Sequence, residues 1–142
     1  MNRTSLFCLE NGVWEEYPFP PHVYSFIFQT TGLCPLPNGK LAVRLDAPYL
    51  LEFDPATRRF ETVSHPQGFE IGYVRPRPRG GAWVQTSDPR TGAFGLEIYD
   101  GVRFQPVADL KDQWKFGELR YLLEAQNGDL WLGGVRSEGL GL

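Results

Sequence analysis

The sequence predicts an all-β protein, a partial β-propeller of four-stranded antiparallel blades, about three of them. Three observations predict it. A glycine turn followed by a short apolar strand recurs in "NGKLAV" (38–43), "RGGAWV" (79–84) and "NGDLWL" (127–132). A strand, turn and second strand opening on an aromatic recurs between those copies. The 16 Gly and 12 Pro in 142 residues favour short elements joined by turns over packed helices.

The glycines of the first anchor, Gly39, Gly80 and Gly128, stand 41 and 48 residues apart. Trp83 and Trp131 hold one position after them, and Ala42 holds it in the first copy. The second anchor is "LFCLENGVWEEYPF" (6–19), "LEFDPATRRFETV" (51–63) and "LEIYDGVRFQPV" (96–107). There Trp14, Phe60 and Phe104 correspond, at spacings of 46 and 44. Four short strands in a period of roughly 40–50 residues is the unit of a β-propeller.

Taken in order, residues 5–20 supply half a blade, its third and fourth strands joined at Asn11-Gly12. Residues 26–64 and 70–108 supply two blades. In the second of these the strands are expected at 73–79, 82–87, 95–100 and 103–107, with Asp100-Gly101 as the last turn. Residues 118–142 open another blade, ending in the start of a third strand at "GLGL". Between them, 108–117 reads as a long loop with one helical turn, because Val107, Leu110 and Trp114 have helical spacing until Gly117 interrupts it. Alternation sets Leu130 and Leu132 on one face of their strand and Trp131 on the other. Both faces of a blade are covered by neighbours, so Trp83 and Trp131 are expected to pack. Three blades do not close a ring. Either flanking blades of a longer chain complete it, or two copies join head to tail as a six-bladed dimer. "GLGL" would compete with "SLFCL" for the same strand position in that dimer.

Composition narrows the function. A net charge of −3 lacks the basic face that nucleic-acid binding needs. The apolar run "SLFCL" is too short for a signal-peptide core, and no segment reaches membrane-spanning length. Cys8 and Cys34 lack metal-ligand spacing and read as small apolar strand residues, with a disulfide as the alternative. With two histidines, His22 and His65, and no phosphate-binding glycine loop, no metal, cofactor or catalytic set is predicted.

The stretch "LLEAQNGDLWLGGVRSEGLGL" resembles the two-component-regulator propeller repeat. That pattern has an acidic residue, a Gly turn, a Trp strand and a Gly-Leu pair. They fall here on Glu124, Asn127-Gly128, Leu130-Trp131-Leu132-Gly133 and Gly139-Leu140. The unit with "RGGAWVQT" fits more loosely, and the one before it lacks the Trp. The resemblance implies part of a bacterial sensor region, of the kind placed outside the inner membrane ahead of a histidine kinase or other output domain.

In this strand order the tight turns share one end of the blades and the longer connections share the other. Variable loops on a rigid scaffold are where binding resides. The loop-end candidates are His22, Tyr24, His65, Asp88, Arg90 and Trp114. A second candidate is "RPRPRGG" (75–81), where alternation would aim Arg75, Arg77 and Arg79 from one side of an innermost strand at an anion. The plainer reading, which the sequence favours, is that Glu and Asp from adjacent blades pair with them. The function expected is binding of a small molecule, glycan or protein. The alternative is a carbohydrate-active hydrolase or lyase fragment, whose acids would be Asp46, Asp88 and Asp112.

Overall fold

A computed structural model of the chain describes residues 4–23, 32–45, 47–107 and 116–136. The expected helical turn within 108–115, the "GLGL" segment and residues 26–31 lie outside these described residues. The chain is all-β, with twelve strands among the described residues: β1 (Ser5–Glu10), β2 (Val13–Pro18), β3 (Leu33–Pro35), β4 (Leu41–Arg44), β5 (Leu50–Asp54), β6 (Arg59–Val63), β7 (Glu70–Pro76), β8 (Ala82–Ser87), β9 (Phe94–Tyr99), β10 (Phe104–Pro106), β11 (Phe116–Glu124) and β12 (Leu130–Arg136). They form two complete antiparallel meanders, β3-β4-β5-β6 and β7-β8-β9-β10, flanked by the hairpins β1-β2 and β11-β12.

Turn chemistry explains the breaks. The three first-to-second-strand turns share one hydrogen-bond pattern. Leu36, Arg77 and Ala125 donate N–H to the carbonyls of Lys40, Gly81 and Asp129, and Gly39, Gly80 and Gly128 donate back to the first three. Those glycines sit at φ of 84°, 99° and 90°, a region closed to most side chains. Asn11 and Gly12, at φ of 51° and 76°, close the β1-β2 hairpin as a two-residue turn with both dihedrals positive.

At the β9-β10 turn, the Asp100 carboxylate accepts the N–H groups of Val102 and Arg103 at 2.8 and 2.7 Å. The Arg103 amide first, and that of Val102 next, hold this carboxyl below its usual value. A depressed native value means that the stabilisation is complete above the unfolded carboxylate's pKa, about 4. It is lost as pH falls through the lower native value. Asp100→Ala should therefore cost about 1 kcal/mol at neutral pH, measured by urea unfolding, and progressively less at acidic pH. An equal cost at every pH would remove the carboxylate from the account.

Packing follows the alternation along each strand, because the first meander buries side chains on both of its faces. Leu50 and Ala42 face one way, into a core with Cys34, Leu36, Ile71, Val74, Ala82, Val84 and Tyr99. Val43 and Leu51 face the other way, into a core with Phe19 and Val23 that Leu6 and Phe60 extend. The sheets are thus stacked face to face in chain order, and their first strands β3, β7 and β11 lie side by side. Backbones come close there: a Cβ on Gly32 would lie 2.4 Å from the Val74 carbonyl oxygen.

Three expectations need correction. Strand β7 spans Glu70–Pro76 rather than 73–79, because Pro76 and Pro78 carry no N–H and the chain turns between Arg77 and Gly81. Strand β11 begins at Phe116, so it absorbs Gly117, with register irregularities before Tyr121. Trp83 is packed at 4% exposure, but Trp131 is 66% exposed, since among the described residues no sheet lies beyond β11-β12. The cysteines are strand residues, as expected, and the alternative disulfide is not formed: Cys8 on β1 is exposed and Cys34 on β3 buried, and burial pushes the Cys34 thiol up to about 11.

Candidate functional site

Three clusters of polar groups emerge from this stacking. The first is a seam between the two complete sheets. His65, in the connection after β6, is buried, and its Nε2 lies 2.9 Å from the Glu97 carboxylate on β9. Its Nδ1 accepts the Gln67 N–H, so Nε2 carries the proton and donates it to Glu97. The imidazole stacks on Phe69 at 4.7 Å and tilts against Phe104 at 4.8 Å. Phe104 in turn stacks on Tyr99, whose hydroxyl donates to the buried Glu52 carboxylate. Burial first, then that hydrogen bond, pushes the Tyr99 hydroxyl pKa far up. Lys40 completes the line, 3.8 Å from Glu52. With these polar groups paired, the seam acts as structure; a small hollow of about 220 Å³ opens only at its Lys40 and Glu52 end.

The second cluster is the arginine run. Arg77 and Arg79 do not project from a strand with Arg75. They sit in the turn after β7 and converge on Glu124 of β11 at 4.0 and 3.5 Å. The Arg77 guanidinium also lies over the Trp83 ring, 5.4 Å from its centroid. Pairing with an acid of the adjacent sheet, the plainer reading, therefore accounts for these two. Arg75 stands apart on the exposed side of β7, donating to the Tyr73 hydroxyl at 2.7 Å. It borders an open hollow of about 360 Å³ with Tyr121, Leu123 and Trp131.

The third cluster is at the loop end. A groove of about 330 Å³ runs between the two complete sheets, lined by Arg44, Ala47, Pro48, Glu70, Ile71, Gly72 and Ser87. Its walls are tied together. Ile71 donates its N–H to the Pro48 carbonyl at 3.1 Å, and Arg44 Nε donates to the Gly72 carbonyl at 2.5 Å. The groove thus sets a carboxylate and a hydroxyl beside Ala47, Pro48 and Ile71, with the Arg44 guanidinium tied into its wall, a mixture suited to a small polar ligand or a peptide.

The remaining expected residues fall as follows. Asp88 and Arg90 meet within one loop. The carboxylate accepts the Arg90 N–H at 2.9 Å and pairs with its guanidinium at 3.3 Å. The Arg90 amide first, and its side chain next, hold Asp88 below its usual value. His22 is exposed in the turn after Pro20. Tyr24, Asp46, Asp112 and Trp114 lie outside the described residues. Among the described residues no three His, Cys, Asp or Glu side chains come together as a metal-binding group.

Sequence reasoning pointed to the loop end but named the loop residues and missed Arg44 and Glu70, which line the groove there. The available signal was position. Arg44 ends β4 just before "LDAPY", and Glu70 opens β7 just after "SHPQG". Strand ends are held more firmly than loop tips, so they make the better walls. Compared with known proteins, the chain matches no protein-family model, no curated protein and no solved structure.

Proposed function

We propose that the two complete sheets are blades of a β-propeller and that the chain is a binding segment of a sensor, taking a small polar ligand or a peptide at the loop end. The observation that carries this reading is the groove lined by Arg44, Glu70 and Ser87, open at the end opposite the three tight glycine turns. A stacked pair of meanders supplies rigid walls there, and the connections that differ between the repeats supply the rim. The likeness of "LLEAQNGDLWLGG" to the two-component-regulator propeller repeat supports the sensor assignment.

Amide-resolved NMR tests it, with a panel of mono- and disaccharides, small carboxylates and short acidic and basic peptides as probes. A probe that binds should perturb the amides of Glu70, Gly72 and Ser87. Glu70→Ala should weaken that binding by roughly tenfold, the value of one charge-assisted hydrogen bond, while leaving unfolding unchanged. Probes that perturb only the tight-turn end, or that ignore Glu70→Ala, would place binding elsewhere.

A further inference from the structure

Two features at opposite ends of the stack have no partner among the described residues, and they are complementary. Strand β12, second in its sheet, has one edge on which no strand pairs; β1 likewise has one edge without a strand. In the complete sheets that missing contact is the pairing of second with third strand. Thus Ala42 faces Glu52 across β4-β5, and Trp83 faces Ile98 across β8-β9.

The apolar faces match in the same way. On β1-β2, Leu6 and Tyr17 turn toward the first complete sheet, where Tyr17 meets Phe53 at 4.8 Å. Phe7, Leu9 and Trp14 point the opposite way and are exposed. On β11-β12 the exposed large apolar side chains are Tyr121, Leu123 and Trp131. Each hairpin covers only half of its neighbouring sheet, so Leu33 on the inner strand β3 and Val107 beyond the outer strand β10 are exposed as well. Six large side chains on two uncovered faces exceed what scattered surface apolar residues explain.

We propose that these surfaces take a second copy of this chain: β12 of one copy pairs with β1 of the other, giving a shared sheet in the order β11-β12-β1-β2. The register follows from the repeat. Leu9, Phe53 and Tyr99 hold one place, since each faces the ring that opens the next strand, Trp14, Phe60 and Phe104. One residue earlier, Cys8 takes the place of Glu52 and Ile98, so it faces Trp131 of the other copy. The shared sheet then lays Phe7, Leu9 and Trp14 over the second complete sheet of one copy, beside Val107. It lays Tyr121, Leu123 and Trp131 over the first complete sheet of the other, beside Leu33. The second junction repeats the first by two-fold symmetry, and among the described residues no uncovered edge or face of this kind remains. The inference rests on the propeller reading above, but not on any ligand at the loop end.

Light scattering of the full chain across a wide dilution series should show a discrete species of twice 16.1 kDa. Trp131→Glu should return it to the single-chain mass with its strand signal in circular dichroism intact. Trp131→Cys, oxidised with diamide, should link to Cys8 of the other copy and run as a reducible dimer. Leu123→Cys, one strand further from β1, should not. A single-chain mass at every concentration, or open-ended growth, overturns the proposal and leaves these faces to the chain's own continuation. A dimer that survives Trp131→Glu, or one that Trp131→Cys fails to link, places the contact elsewhere. Glu70→Ala should leave the mass unchanged, so failure of the binding reading and failure of this one are told apart.

Discussion

Replacing His65 by leucine is expected to cost about 3–5 kcal/mol of unfolding free energy, the largest loss of any single side-chain change in the seam. The reason is what the substitution leaves behind. Glu97 is 5% exposed, and the His65 Nε2–H, 2.9 Å away, is its hydrogen-bond partner across the seam. Leucine fills the space between Phe69 and Phe104 but offers no proton, so a buried carboxylate loses that partner. The Gln67 N–H loses its acceptor at the same time. His65→Leu with Glu97→Leu removes both polar groups together and should recover most of the loss, because a paired polar couple and an apolar couple of similar volume differ little in net stability. Urea unfolding of the two single variants and the double variant at neutral pH reads the coupling directly. A His65→Leu cost below about 1 kcal/mol, in the range of an ordinary exposed pair, would mean that water reaches Glu97 and that the seam is not closed.

The sequence made some of this legible and not the rest, for identifiable reasons. The turns at Gly39, Gly80 and Gly128 were legible because only glycine takes their dihedrals without strain, and the identical hydrogen bonds there show one local solution used three times. Strand β8, Ala82–Ser87, was legible at both ends because alternation inside it is bounded by Gly80-Gly81 and by Asp88-Pro89. The arginine run misled because alternation was counted through two prolines that cannot continue a ladder. The seam was illegible for a different reason. The strings "LEFD" and "LEIYD" look aligned on Leu-Glu, but the strand pairing aligns Phe53 with Tyr99. Glu52 and Glu97 therefore face opposite ways on their own sheets, and both turn into one seam. A shift of one residue changes which face a side chain takes, and only the register fixes it.

The second large effect is expected at Gly32, where alanine should cost about 3 kcal/mol. Its Cβ would stand 2.4 Å from the Val74 carbonyl oxygen and 3.3 Å from the carbonyl carbon. Both are backbone atoms, so no side chain can swing aside to make room, and β3 would have to move away from β7. Dihedral strain is not the cause, since Gly32 is not among the glycines at positive φ. Gly39→Ala supplies the contrast. Gly39 sits at φ of 84° with nothing within 4 Å of its missing Cβ, so alanine there should cost only the local strain, about 1 kcal/mol. The displacement at Gly32 should also reach the loop end. The Gly32 carbonyl accepts the Arg44 N–H at 2.9 Å, and the Arg44 side chain in turn holds the Gly72 carbonyl. Pushing β3 outward therefore pulls on a wall of the groove, and Gly32→Ala should weaken any ligand bound there while Gly39→Ala does not. Urea unfolding and amide exchange at Gly72 measure the two effects separately. Equal costs for the two variants would show that β3 and β7 have room between them, and the tight approach of these two strands would no longer explain how the loop end is held.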